Sequence, residues 1–342
     1  MNIQNTSKHY TFIKYLVKKY IPLGSFIVWG LSLKVADPVD FSMFSEEEFI
    51  KFALDSLKFN IRDHKEQGIL QKTRLIKFVV LLAQKVGYTG LTYGLYRNGY
   101  YCQKAFEILS DKNVLSLEDY VSENIKSTDK QKKIIDMTIN EFKGIFLGAT
   151  EKFSDWVYRV ISPKEYRKFY SAYYKFTLDL NHLSKDIQRL DIDDNYLTKI
   201  ENDITDYYTQ LNHVKDEEVY QAFCDFTDIL EGLFVSLRYN KNKEKVARYI
   251  KELTSLHDRL YSFLTPYKET LTGPNREAIL NIFTNSKNKE VSALRKKFEE
   301  LESNLRKEQL WPSHEEMMDY TKKLCSNLKP EEIKEIEKAL LS

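Results

Sequence analysis

Five cations are spaced so that the chain could touch phosphate. Lys72, Arg74 and Lys77 fall within two turns of one stretch, and Arg97 and Lys104 flank the turn and the segment that follow it. Lysine and arginine offer a polyanion both charge and hydrogen-bond donors, so the grouping reads as a surface for a nucleic-acid backbone. The blander reading is a solvated helix face, because lysines outside an apolar helix are the norm. Other chemistry finds less support. His9, His64, His182, His213, His257 and His314 are never three or four residues apart, so no two share a helix face as metal ligands would. Each reads as a surface or capping residue. Cys102, Cys224 and Cys325 are isolated, which suggests neither a zinc site nor a disulfide framework and fits a reducing compartment. HExxH, GxSxG, the Walker lysine loop and GxGxxG are all missing from the sequence. Asp191, Asp193 and Asn195 begin like a calcium loop, but Tyr196 stands where glycine is needed and Asn202 where a bidentate Glu is needed. That stretch reads as an acidic turn between helices. Tyr166, Tyr170, Tyr173, Tyr174 and Phe176 could stack bases, yet Tyr166, Tyr173 and Phe176 sit on a packing seam and read as core. With no catalytic, metal or cofactor constellation, the expectation is a non-enzymatic protein.

The elements that must position these residues are helices. Seven prolines and eleven glycines in 342 residues disfavour a many-turned β fold, and 42% hydrophobic with 30% charged residues excludes global disorder. The seam is clearest in residues 162–190. There Tyr166, Phe169, Tyr173, Phe176, Leu180, Leu183, Ile187 and Leu190 alternate steps of three and four, a stripe that a helix buries against another helix. Ser162, Pro163 and Glu165 mark its start as a capping box. The rhythm resumes in Leu197–Val214, Val219–Leu237, Val246–Phe263 and Val291–Leu305, with short turns between. Short turns imply antiparallel neighbours, so a bundle of helical hairpins with coiled-coil seams is expected, the competing arrangement being an elongated parallel homodimer.

Upstream, residues 8–21 pattern as an amphipathic helix, and Ser45 with Glu48 caps a helix running to about Asn60. Residues 69–86 read as a central helix closed by Gly87 and Gly90. Leu91–Tyr96 is the best strand candidate, Asn98-Gly99 a turn, and Tyr100–Leu109 a helix. One long helix is expected over residues 130–160. The polar stretch 111–133 places a domain boundary near residue 125, giving a basic domain at 1–125 and a helical domain at 126–342. Residues 1–112 carry sixteen Lys and Arg against ten Asp and Glu, while the whole chain has a net charge of +2. Such an imbalance suits a polyanion without demanding one. The apolar run 21–33 is thirteen residues, too short for a helix to cross a bilayer of about 30 Å, so a cytoplasmic protein without a membrane role is expected.

Residues 68–115 also resemble a known family. Leu70-Gln71-Lys72 with Lys77, then Tyr93 and Tyr96, then Ala105, Ile108 and Leu109 are similar to winged-helix proteins around the Panacea (SocA-like antitoxin) domain. Where that family has a tyrosine-glycine-proline-tyrosine-serine turn, this chain has Tyr96-Arg97-Asn98-Gly99-Tyr100. The resemblance implies a small winged-helix-like N-terminal domain and, for some relatives, an antitoxin or DNA-associated role. The expected protein is therefore mainly α, a nucleic-acid-associated or antitoxin-like regulator whose helical domain mediates assembly. Its alternative is a protein-protein interaction scaffold that contacts no nucleic acid.

Overall fold

Ser45 opens the first described helix as its sequence dictates. The Ser45 hydroxyl accepts from the Glu48 N–H at 3.3 Å, and the Glu48 carboxylate accepts from the Ser45 N–H at 2.8 Å. This helix, α1, runs Glu46–Asn60 and buries Phe49, Ile50, Phe52, Ala53, Leu54 and Leu57. The structure, a computed structural model, describes residues 39–187, 194–239 and 241–325. The expected helix at 8–21, the apolar run 21–33, most of the acidic turn at 191–195 and a last helix from Pro330 lie outside these residues. Among the described residues the chain is mainly helical with one two-stranded sheet. Among the described residues no helix is long and apolar enough to cross a membrane.

Two compact units divide the described chain. One holds residues 39–167 and 265–284, the other residues 168–264 and 285–325. In the first, a short helix α2 (His64–Ile69) precedes α3 (Lys72–Val86), which ends at Gly87 with φ 70°. Every residue from Arg74 to Ala83 of α3 is buried, as befits a helix that α1, a strand and two further helices surround. Strands β1 (Gly94–Tyr96) and β2 (Gly99–Tyr101) pair antiparallel across Arg97–Asn98, with Tyr96 opposite Gly99 at φ 91°. The return strand corrects the expected helix start at Tyr100, because α4 spans only Gln103–Asp111. Next come α5 (Asp129–Phe146) and α6 (Thr150–Trp156), which continues into a π-helical turn, Val157–Ile161. The single helix expected over 130–160 is thus broken near Gly148. The Ser162 hydroxyl donates back to the Val157 carbonyl at 2.9 Å and closes that turn.

The polar stretch 111–128 is laid down on α1. Asp55 accepts from the N–H groups of Glu123 and Ile125 at 3.0 and 3.1 Å, and Lys58 donates to the carbonyls of Leu117, Glu118 and Tyr120. The first unit accordingly continues through α5 and α6 to Arg167 and takes in residues 265–284. That later segment, with helix α11 (Tyr267–Thr270), closes the free side of β1. Tyr93 bridges Thr272, the Leu95 N–H donates to Thr270 Oγ1 at 2.8 Å, and a Cβ on Gly94 would lie 3.0 Å from the Tyr267 ring.

In the second unit the heptad positions face inward. Phe169, Phe176, Leu180, Leu183 and Ile187 of α7 (Lys164–Asp186) and the residue after it are buried. The unit continues with α8 (Asp194–Tyr208), α9 (Glu217–Arg238) and α10 (Lys243–Leu264), the last two packed together across a short turn. On α12 (Arg276–Lys307), Val291, Leu294, Phe298, Leu301 and Leu305 are buried, and Ser313 with Glu316 caps α13 (His314–Cys325). Tyr170, off the seam, is buried, while Tyr174 is 42% exposed.

Candidate functional site

The five cations do not form one face. The Lys72 ammonium donates to Ser110 Oγ at 2.9 Å and lies 4.8 Å from the Phe106 ring. Arg74 is 6% exposed; its guanidinium donates to the carbonyls of Phe146 and Gly148 and to Thr150 Oγ1, and covers the Phe153 ring at 4.7 Å. It thereby caps the C-terminal end of α5 and fixes the entry to α6. Lys104 pairs with Glu47 at 3.0 Å, and Lys51 and Lys104 together hold the Glu47 carboxyl down at about 2. Arg97 is half-buried at the hairpin turn. Lys77 is 4% exposed inside α3, its Cε 3.7 Å from where Gly99 would carry a Cβ, and burial lowers its amine to about 7. The sequence held a signal for this. A helix apolar around its whole circumference has no solvent side on which to place a lysine.

An Arg74→Ala chain should therefore lose about 2–3 kcal/mol of stability, since two buried carbonyls lose their donor. Urea titration would show this as a lower midpoint, and Arg74→Lys should restore only part of it. A phosphate-contacting arginine would instead leave the midpoint in place.

Sequence reasoning missed a cleft in the first unit. It has a volume of about 860 Å³ and lies between α1, the loop 122–128 and the start of α5, with Phe52, Phe59 and Ile125 as its apolar lining. Phe59 is 67% exposed, with the Arg62 guanidinium 5.2 Å from its ring. The acids around the cleft are engaged in its framework: Asp55 holds the loop, and Asp136 accepts from Asn60 Nδ2 at 2.7 Å. Ser127 Oγ is buried there without a hydrogen-bond partner. Thr128 and Gln131 form a capping box at the head of α5, and Gln131 also donates to the Asp40 carbonyl at 2.7 Å. Lys126 and Lys132 line its edge, Lys130 and Lys133 adjoin them in sequence, and all four are exposed with no ion-pair partner among the described residues. Elsewhere in this unit Lys51, Lys85, Lys104, Lys112 and Lys143 each meet a glutamate.

In the second unit the polar groups serve the core. Lys199 reaches both oxygens of Asp179 at 2.8 Å, while Lys175 pairs with Asp203 beside it. Burial and the neighbouring Asp179 raise the Asp203 carboxyl. His257 corrects the expectation of a surface or capping residue. It is 1% exposed among the rings of Phe176, Phe226 and Tyr207, because it falls on the buried face of α10. His213 does cap, its Nε2 lying 2.7 Å from the Leu264 carbonyl at the end of α10. Burial pushes the Cys102 thiol up to about 12, which makes it a poor nucleophile at neutral pH. Among the described residues no group of three or more His, Cys, Asp or Glu could hold a metal ion.

No match was found among the curated proteins or the solved structures. Residues 102–341 match the family described as Domain of unknown function (DUF8098), a span that begins beyond α3 and the β1–β2 hairpin and leaves most of residues 68–115 outside it. That match covers well over half of the chain, which therefore belongs to this family.

Proposed function

We propose that this chain is a non-enzymatic regulatory protein that acts by holding a macromolecular partner, and that the partner is a protein. One observation carries the reading: a cleft with an apolar patch of Phe52, Phe59 and Ile125, Phe59 largely exposed, and Lys126 and Lys132 without ion-pair partners among the described residues, in a unit whose other lysines are mostly engaged. An interaction scaffold needs such a surface, and an antitoxin-like regulator needs it to hold its target. The helical second unit buries its seam residues in its own core, so any assembly through it runs on its outer helix faces. A second reading, nucleic-acid contact, draws on the order helix, hairpin, helix in residues 72–111, which supports the winged-helix resemblance. That reading has less to draw on where Lys72, Arg74 and Lys104 are engaged with neighbours and Lys77 is buried.

A photo-crosslinking side chain at position 59 of the full chain, expressed in its own cell, tests this. The expected result is a discrete protein adduct, absent when the same group is placed at exposed Glu141. A nuclease-sensitive adduct would favour the second reading, and no adduct at 59 would overturn the first.

A further inference from the structure

Resting on that reading, we propose that the cleft takes an acidic peptide segment of the partner, anchored by one apolar side chain. The argument starts from charge. Cations near a helix N-terminus oppose the helix dipole, yet Lys130, Lys132 and Lys133 all stand within the first five residues of α5, with Lys126 just ahead. Asp129 is the acidic residue of that turn, and the capping box of Thr128 and Gln131 holds the turn without it. Asp55 and Asp136 keep their charge while they accept from backbone N–H groups and Asn60, but Lys58, Lys126 and Lys132 of the lining outnumber them, with Lys130 and Lys133 next in sequence. The lip therefore carries a positive potential that an occupant must match, and helix geometry adds to it.

The interior asks for something else. Phe52 and Ile125 line a space that a bare anion would leave empty, and Phe59 stands 67% exposed at its edge, a large apolar side chain that folding has not covered. Arg62 lies over the Phe59 ring, so the rim there is also cationic. Ser127 Oγ, buried and without a partner, offers a donor or acceptor to a peptide group. A volume of about 860 Å³ is within the range of pockets that enclose a side chain with its flanking backbone. A polynucleotide would satisfy the lysines but brings a phosphate at every residue, which the Asp55 and Asp136 carboxylates of the lining oppose and Phe52, Phe59 and Ile125 do nothing to hold. An acidic peptide with an aromatic or aliphatic anchor meets both demands.

The test is selection from a random twelve-residue peptide display library on the full-length chain. Expected are sequences with two or more Asp or Glu flanking one Phe, Trp, Leu, Ile or Met. Binding of a selected peptide should fall at least tenfold in Lys126→Glu/Lys132→Glu and in Phe59→Ser, and less than twofold in Lys65→Glu. These side chains are exposed, so circular dichroism should be unchanged. Neutral or basic winners, no enrichment, binding indifferent to the lip substitutions, or equal competition by an oligonucleotide of the same charge would each overturn the proposal. A protein adduct at position 59 combined with any of those results would sink this inference and leave the functional reading standing.

Discussion

Glu201→Ala should destabilise the second unit by about 3–5 kcal/mol, because it leaves a guanidinium that is only 12% exposed without its main counter-charge. Glu201, on α8, is 3% exposed; its two oxygens accept from Arg238 of α9 at 2.6 and 3.2 Å. Tyr320 of α13 donates to the same carboxylate at 2.5 Å, and Arg238 lies 5.0 Å from the Tyr320 ring. One carboxylate thus ties three helices together. Burial alone would lower the Arg238 pKa, but Glu201 beside it more than reverses that. In Glu201→Ala the attraction is lost and the desolvation remains. Asp194, 3.1 Å from the Arg238 Nε, is exposed and screened, so it compensates little. Glu201→Gln should fall between the two, keeping an acceptor for Tyr320. The double change Glu201→Leu/Arg238→Met should recover much of the loss, since it removes both charges. Urea unfolding, with amide exchange read on α8, α9 and α13, measures the cycle. An additive double variant would show that the two residues act independently.

Lys77→Met should raise stability at pH 7, by roughly 2–4 kcal/mol. The Lys77 amine titrates near 7 in the folded chain because burial opposes its charge, against 10.5 for a free side chain. Between those two values the unfolded chain binds the proton and the folded chain does not, so stability rises with pH across the window. The penalty is absent above about 10.5, grows as the pH falls, and is complete below about 7. Methionine fills a similar stem volume and has no proton to lose. The gain should therefore be largest at or below pH 7 and fade by pH 10. A gain that is the same at pH 6 and pH 10 would mean that packing, rather than desolvation, sets it.

Local signals in the sequence translated well. Ser45 with Glu48 is a capping box as written, and Gly87 ends its helix in the left-handed region, since each is decided within four residues. The seam residues Phe169, Phe176, Leu180 and Leu183 are buried for the same reason: a period needs no knowledge of the neighbour. Burial that depends on distant partners was not legible. Arg74 reads as a surface cation until Phe146, some seventy residues on, brings its carbonyl to it. The cleft escaped because the loop 122–128 has the composition of a linker, and the Asp55 carboxylate with the Lys51 and Lys112 pairs to Glu123 shows that it is pinned. The return strand at Gly99–Tyr101 was implied by the Asn98-Gly99 turn, but the helix that begins at Gln103 masked it.

The bond from Leu95 to Thr270 joins residues 175 apart in the sequence. A chain leaving the ribosome must therefore complete seven further helices, α4 to α10, before the hairpin edge gains its acceptor, and polypeptides stopped short of residue 265 would display a bare strand to their neighbours. Self-adhesion of prematurely terminated products, relieved by supplying the missing piece in trans, is the behaviour this connectivity dictates.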